Sequence, residues 1–352
     1  MNRWMSILAV VLVAASAVAR FSHISPIWQF FISAVAIVPL AAIMGQATES
    51  IAAHAGPRLG GLLSATFGNA VELIIGIFAL RQGLSTLVKA SITGSIIGNL
   101  LFVLGLSFFV GGIRHPIQYF NIRAARSNAS MLMLGVGIAF VVPSIFTQMP
   151  LRNPYTLSFG VAAVSLIIYL LGLLFSLFTH REVFAYIEDE ASEEEEVKYK
   201  LWTAVVLLFS ATILVSIESD WLVENVKSIA AGLGWSEVFI GVVVVAVIGN
   251  AAEHASAVWM AWKNRMDLSL EIAVGSTLQV AMFIAPVLFF LGLIIGNPFQ
   301  LSFSWPELVS MTAAVLLVVV LMVDGESNWL EGAMAVGAYL VLAVGFYTLP
   351  SL

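Results

Sequence analysis

The sequence contains no cysteine, which removes disulfides and thiolate metal sites from consideration and leaves the redox compartment open. Charge is also scarce: Asp, Glu, Lys and Arg make up 10% of the 352 residues, against about a quarter in a soluble domain. With 60% hydrophobic residues and a mean hydropathy of +1.00, such a chain can be kept only in lipid. It reads as an all-α, polytopic membrane protein. Basic residues form no patch, which excludes a nucleic-acid partner, and much of the net charge of −6 comes from one short acidic run. No His-Glu-x-x-His occurs and no serine has an evident histidine partner, so the chain does not read as an enzyme. Nothing implies an organic cofactor.

What is present is said twice. Gly68-Asn69-Ala70-Val71-Glu72 returns as Gly249-Asn250-Ala251-Ala252-Glu253, 181 residues later. The same offset pairs Gly60 with Gly241, Gly94-Ser95 with Gly275-Ser276, and Phe108-Phe109-x-Gly111 with Phe289-Phe290-x-Gly292. From 60 to 112 there are thirteen identities in fifty-three positions without a gap. Shared apolar composition does not hold Gly, Asn and Glu in register, so this is an internal duplication with one membrane carboxylate per half.

Helices are predicted over 27–45, 62–80, 84–111, 129–148, 155–179, 201–219, 237–262, 269–295, 305–323 and 328–349. The first twenty residues carry Arg3, an apolar stretch and Ala17-Val18-Ala19, a pattern common to signal peptides and first membrane helices. The expectation is eleven helices: an extra N-terminal one in 1–26, a five-helix repeat in 27–181, an acidic linker in 182–200 and a second repeat in 201–352. Five is odd, so the repeats must insert with opposite orientation, as in many secondary transporters.

With the N-terminus cytoplasmic, the inside loops hold ten Lys and Arg, including Arg3, Arg114, Arg123, Lys198 and Lys263. The outside loops hold five: Arg20, Arg81, Lys89, Arg152 and Lys227. That bias sets the orientation. The linker, with Glu188, Glu190, Glu193, Glu194 and Glu196, then falls on the cytoplasmic side. Its carboxylates lie outside the apolar runs, so they read as regulatory or as a solvated charge run.

Around Glu72, Gly61, Ala65, Gly68, Gly76 and Ala79 form one small-residue stripe, repeated by Ala246, Gly249 and Ala257 around Glu253. Asn69 and Asn250 stand one turn before the glutamates and can share a ligand with them. The following helices add Ser95 and Asn99, and Ser276 and Gln279. Carboxylates, amides, hydroxyls and the backbone carbonyls near Gly68 and Gly249 suit a hard cation such as Ca²⁺. His254, where the first repeat has Leu73, is either a ligand or proton partner of Glu253, or a polar residue facing a cavity. Glu49 and Glu218 read as flanking or interfacial charges, and Glu307, Asp324, Glu326 and Glu331 as solvated helix-end charges.

These residues resemble the cation/proton exchanger family of the calcium/cation antiporter superfamily. The resemblance rests on Gly-Pro-Arg-Leu-Gly-Gly at 56–61, Ala65-Thr66-Phe67-Gly68-Asn69-Ala70-Val71-Glu72-Leu73, and Gly94-Ser95-Ile96-Ile97-Gly98-Asn99-Leu100-Leu101. It continues in Gly249-Asn250-Ala251-Ala252-Glu253-His254 and Gly275-Ser276-Thr277-Leu278-Gln279. It implies that Glu72 and Glu253 bind Ca²⁺ and protons alternately, and that the 188–196 run takes part in calcium sensing. Sodium/calcium exchangers of the superfamily carry a carboxylate where this chain has Val280, so the resemblance implies coupling to protons. A Na⁺- or K⁺-coupled divalent-cation exchanger of the same fold is the alternative, with a cation channel less favoured. The expected setting is the plasma membrane of a prokaryote. The expected partners are Ca²⁺, H⁺ and lipid, with homo-oligomerisation left open.

Overall fold

The structure is a computed structural model that describes residues 3–147, 149, 153–179 and 198–350. The acidic run at 188–196 lies outside the described residues. The described chain is helical almost throughout: α1 (Arg3–Phe21), α2 (Pro26–Ala55), α3 (Pro57–Phe67), α4 (Ala70–Arg81), α5 (Ser85–Arg114), α6 (Ile122–Phe146) and α7 (Pro154–Thr179). After the linker come α8 (Leu201–Leu233), α9 (Glu237–Gly249), α10 (Ala251–Trp262), α11 (Met266–Ile295), α12 (Trp305–Leu321) and α13 (Trp329–Tyr347). Among the described residues, eight helices are long and apolar enough to cross a membrane, and nine if the bent pair α9–α10 is one span. The expectation of eleven also counts α12, of 17 residues, and the pair α3 and α4, of 11 and 12.

Two predicted helices are broken. The 62–80 helix stops at Phe67 and restarts at Ala70, and the 237–262 helix is interrupted at Asn250 with a bend of 61°. Both interruptions fall on the Gly-Asn of the repeated motif. Hydropathy runs straight through them, because it registers apolarity and not backbone continuity. α5 and α11 are instead unbroken but contain π-helical turns, Gly98–Val103 and Val280–Ile284, which nearly coincide under the 181-residue offset. Turns of this kind cluster at functional positions.

Other boundaries moved for local reasons. α6 starts at Ile122 and not at 129, because the Asn121 side chain caps its first turn, accepting from the N–H of Arg123 (2.9 Å) and Ala124 (3.3 Å). α8 runs past 219 to Leu233 and ends at Gly234, whose φ of 70° favours glycine.

The helices group into two compact units, each drawing on both repeats. One comprises Met1–Ser91, Glu195–Ala252 and Tyr347–Leu352. In it α2 is the central helix, lying against α1, α3, α8 and α9, with Phe30, Ile37, Leu40 and Met44 buried. Glu218 is fully buried here, contrary to an interfacial charge: its carboxylate faces serines of α1 and α2 and not solvent.

The other unit comprises Ile92–Glu194 and Glu253–Phe346. In it α11 lies against α5, α6 and α7, and α12 against α5 and α6. Residues Gln118–Tyr119 (β1) pair antiparallel with Glu326–Ser327 (β2), tying the α5–α6 turn to the α12–α13 turn. Gly332 of α13 sits on the α5 backbone at Gly105 and Phe109, a separation any side chain would prevent. Lipid gives no hydrophobic drive for helix association, so such close backbone contacts and interhelical polar bonds must supply it. Glu307, expected to be solvated, is buried, because Oε2 accepts from the Ser304 N–H (2.9 Å) and Oγ (2.7 Å) in a capping box.

Candidate functional site

The predicted site residues divide between the two units, in two sets that the chain breaks position. In the first unit, Glu72 lies in the first turn of α4, directly after the break at Gly68 and Asn69. Here the unbonded N–H groups and positive end of the helix favour a carboxylate. Its side chain packs on Gly249 of the second motif: a Cβ there would meet Glu72 Cγ at 3.5 Å, ordinary contact. Asn69 and Asn250 are each 1% exposed, and the Asn250 amide donates to the Ala246 carbonyl at 2.9 Å, across the end of α9. The first motif's Glu and Asn thus share a unit with the second motif's Gly and Asn. Glu49 is exposed near the C-terminal end of α2.

In the second unit, Glu253 takes the equivalent position in the first turn of α10. A directional chain of hydrogen bonds reaches it. His254 Nε2 is 3.2 Å from Asn99 Oδ1, the Asn99 amide donates to Ser276 Oγ at 3.0 Å, and Ser276 is bonded to Glu253. Since Ser276 accepts from Asn99, its own proton is available to the carboxylate. Asn99 lies in the π turn of α5, and Ser276 just before that of α11. His254 therefore contacts Asn99. Its ring also meets Phe102 edge-on at 6.1 Å and lines an apolar cavity of about 430 Å³ with Leu106, Val110 and Trp259. Glu253 Oε2 is buried with no hydrogen-bond partner among the described residues, an acceptor available to a cation or a proton. Ser95 and Val280 are buried and Gln279 is half-buried.

Among the described residues no three His, Asp or Glu side chains converge. A cation held here would complete its shell with amide, hydroxyl and backbone oxygens.

Sequence reasoning passed over several polar groups. Gln46 Oε1 and Thr48 Oγ1 of α2 are buried without hydrogen-bond partners among the described residues. Glu271 of α11 accepts from the Asn128 amide at 3.0 Å. A search for every polar side chain inside an apolar run would have found them. A search keyed to the repeat could not find Thr48 or Glu271, since the offset matches them with apolar Ile229 and Ala90.

Broken helices that present carboxylates at their N-terminal turns, in a duplicated apolar chain, define a membrane ion exchanger fold. The family described as "Sodium/calcium exchanger protein" matches residues 25–178 and 203–348, and the chain belongs to it. The chain is 48% identical to the Ca(2+)/H(+) antiporter ChaA of Bacillus subtilis, over 99% of this chain and 100% of that one. It is 44% identical to the Ca(2+)/H(+) antiporter of Aphanothece halophytica, over 95% and 94%. Among solved structures it is similar to native YfkE, with a TM-score of 0.86 and 45% identity, covering 98% of this chain and 100% of that one.

Proposed function

We propose that this chain is a Ca²⁺/H⁺ antiporter that moves cytoplasmic Ca²⁺ out in exchange for external H⁺, with Glu72 and Glu253 binding both ions in turn. The observation that carries the reading is the equivalent placement of the two glutamates: each stands in the first turn after a helix break at a repeated Gly-Asn. Asn69, Asn250, Ser95, Ser276, Gln279 and the carbonyls at Gly68 and Gly249 add oxygen ligands. Asn99 and His254 orient Ser276, and Glu49 flanks the approach. The similarity to the Bacillus and Aphanothece antiporters supports calcium and protons as the exchanged pair.

The coupling follows from electrostatics. Two carboxylates that together offer two negative charges can balance one Ca²⁺ or take up protons. The empty, doubly negative site is costly to carry through an occluded state in lipid. Loaded forms therefore cross readily and the empty form does not, which is exchange and not leak. Eleven spans in two inverted five-helix repeats, an N-terminus on the cytoplasmic face of a prokaryotic plasma membrane, and an acidic linker that senses cytoplasmic Ca²⁺ complete the reading. Apolar Val280 supports protons over sodium as the counter-ion.

The test is Ca²⁺ uptake into proteoliposomes with the pH gradient and the voltage imposed separately. A pH gradient alone should drive uptake, and exchanging Na⁺ or K⁺ for choline should leave the rate unchanged. Uptake that follows a Na⁺ gradient and ignores pH contradicts proton coupling.

A further inference from the structure

We propose that Glu218, caged by Ser16, Gln29 and Ser33, is a proton-binding site separate from Glu72 and Glu253, reached through the cavity at the α1–α2 turn. Glu218 is fully buried, and Ser16 Oγ donates to its Oε2 at 2.6 Å. Ser33 Oγ lies 3.1 Å from Ser16 Oγ, and the Gln29 amide donates to both serine hydroxyls at 3.1 Å. Those bonds use every donor the cage possesses. Glu218 Oε1 and Gln29 Oε1 are left buried with no hydrogen-bond partner among the described residues. A bare carboxylate so placed would lack both a counter-charge and a donor on one oxygen, the costliest way to bury an acid. A proton on Oε1 supplies what is missing.

A metal ion fits the cage poorly. Its oxygens and nitrogen stand 2.6 to 3.1 Å apart, which is hydrogen-bond spacing. A cation with ligands at about 2.3–2.6 Å on all sides would force them wider.

The charged groups on the surrounding helices do not compensate Glu218. On α1, Arg20 is engaged with Glu224 of α8 at 2.8 Å. α2 has no titratable side chain from Pro26 to Thr48, with Glu49 and His54 beyond, and α4 contributes Glu72 and Arg81. α8 itself adds Asp220, Glu224 and Lys227, none of them bonded to the cage. A cavity of about 580 Å³, with Arg20, His23, Gln29 and Asn225 among its walls, ends on the cage at Gln29 and offers protons a path. The cage joins α1, α2 and α8, so its proton couples the docking of α1 to the pH of the side on which the cavity opens.

Infrared spectroscopy of the full chain carrying E72Q and E253Q, reconstituted in lipid, tests this whether or not those glutamates perform the exchange. At fixed pH the parent should show a deuterium-sensitive carboxylic-acid C=O band that E218Q removes and that fades as pH rises. S16A, which deletes the 2.6 Å bond, should move the band without abolishing it, and it serves if E218Q fails to fold. Spectra unchanged by both substitutions overturn the proposal.

Discussion

In the first copy of the repeated motif the helix is interrupted over two residues, Gly68 and Asn69, and Gly68 is exposed. In the second the interruption is Asn250 alone, and Gly249 beside it is buried against Glu72. The residues that follow the carboxylates differ as well. Glu253 ends a chain running from His254 through Asn99 and Ser276, whereas the first motif has Leu73 where the second has His254. Duplication has kept the backbone device and the charge in both copies and let their surroundings diverge. A transporter that opens to two sides needs two such elements, and nothing requires their neighbours to match.

The largest effects are expected at the glutamates. E72Q and E253Q should each lower pH-driven Ca²⁺ uptake by about 100-fold or more, since each removes a charged ligand and an exchangeable proton at nearly unchanged shape. Asp should rescue poorly, because shortening the side chain pulls its oxygen out of ligand range. Wild-type flux from either Gln variant removes that residue from the site.

Next are the amides. N69A and N250A should raise the Ca²⁺ concentration for half-maximal rate about tenfold and leave the pH optimum in place, because an amide ligates a cation but cannot hold the exchanged proton. A shifted optimum with intact Ca²⁺ affinity assigns them a different role.

Smaller effects are expected along the hydrogen-bond chain. S276A should cost about tenfold in rate and H254L about threefold, the scale of a charged and of a neutral hydrogen bond. The double variant should cost no more than S276A alone, because both act through one path to Glu253. Additive losses would show that His254 works independently of Ser276. The smallest effect is expected from exchanging Glu188, Glu190, Glu193, Glu194 and Glu196 for Gln, which should shift the dependence on cytoplasmic-side Ca²⁺ and leave the maximal rate standing. Complete loss of exchange in a folded protein would contradict a purely regulatory linker.

Much of this was legible in the sequence because the duplication works as a ruler. The 181-residue offset marks both glutamates, both asparagines and both serines, and the helix breaks and the π turns of α5 and α11 fall where the same offset directs. The breaks themselves were not legible, since Gly and Asn inside an apolar run leave hydropathy unchanged. Glu218 and Glu307 depart from expectation for a related reason: a charge near the end of an apolar run reads as interfacial or solvated, and only tertiary neighbours such as Ser16 or a local cap such as Ser304 bury it. Thr48 and Glu271 escaped because the offset matches them with apolar Ile229 and Ala90.

If Ca²⁺ and protons use the same carboxylates, acidifying the loading side reveals it most directly. Initial Ca²⁺ uptake should fall as that side is acidified, and raising Ca²⁺ should restore the full maximal rate, since protonated carboxylates lose their charge for the cation. Inhibition by acid that no concentration of Ca²⁺ relieves would contradict a shared site, even if both glutamates proved essential.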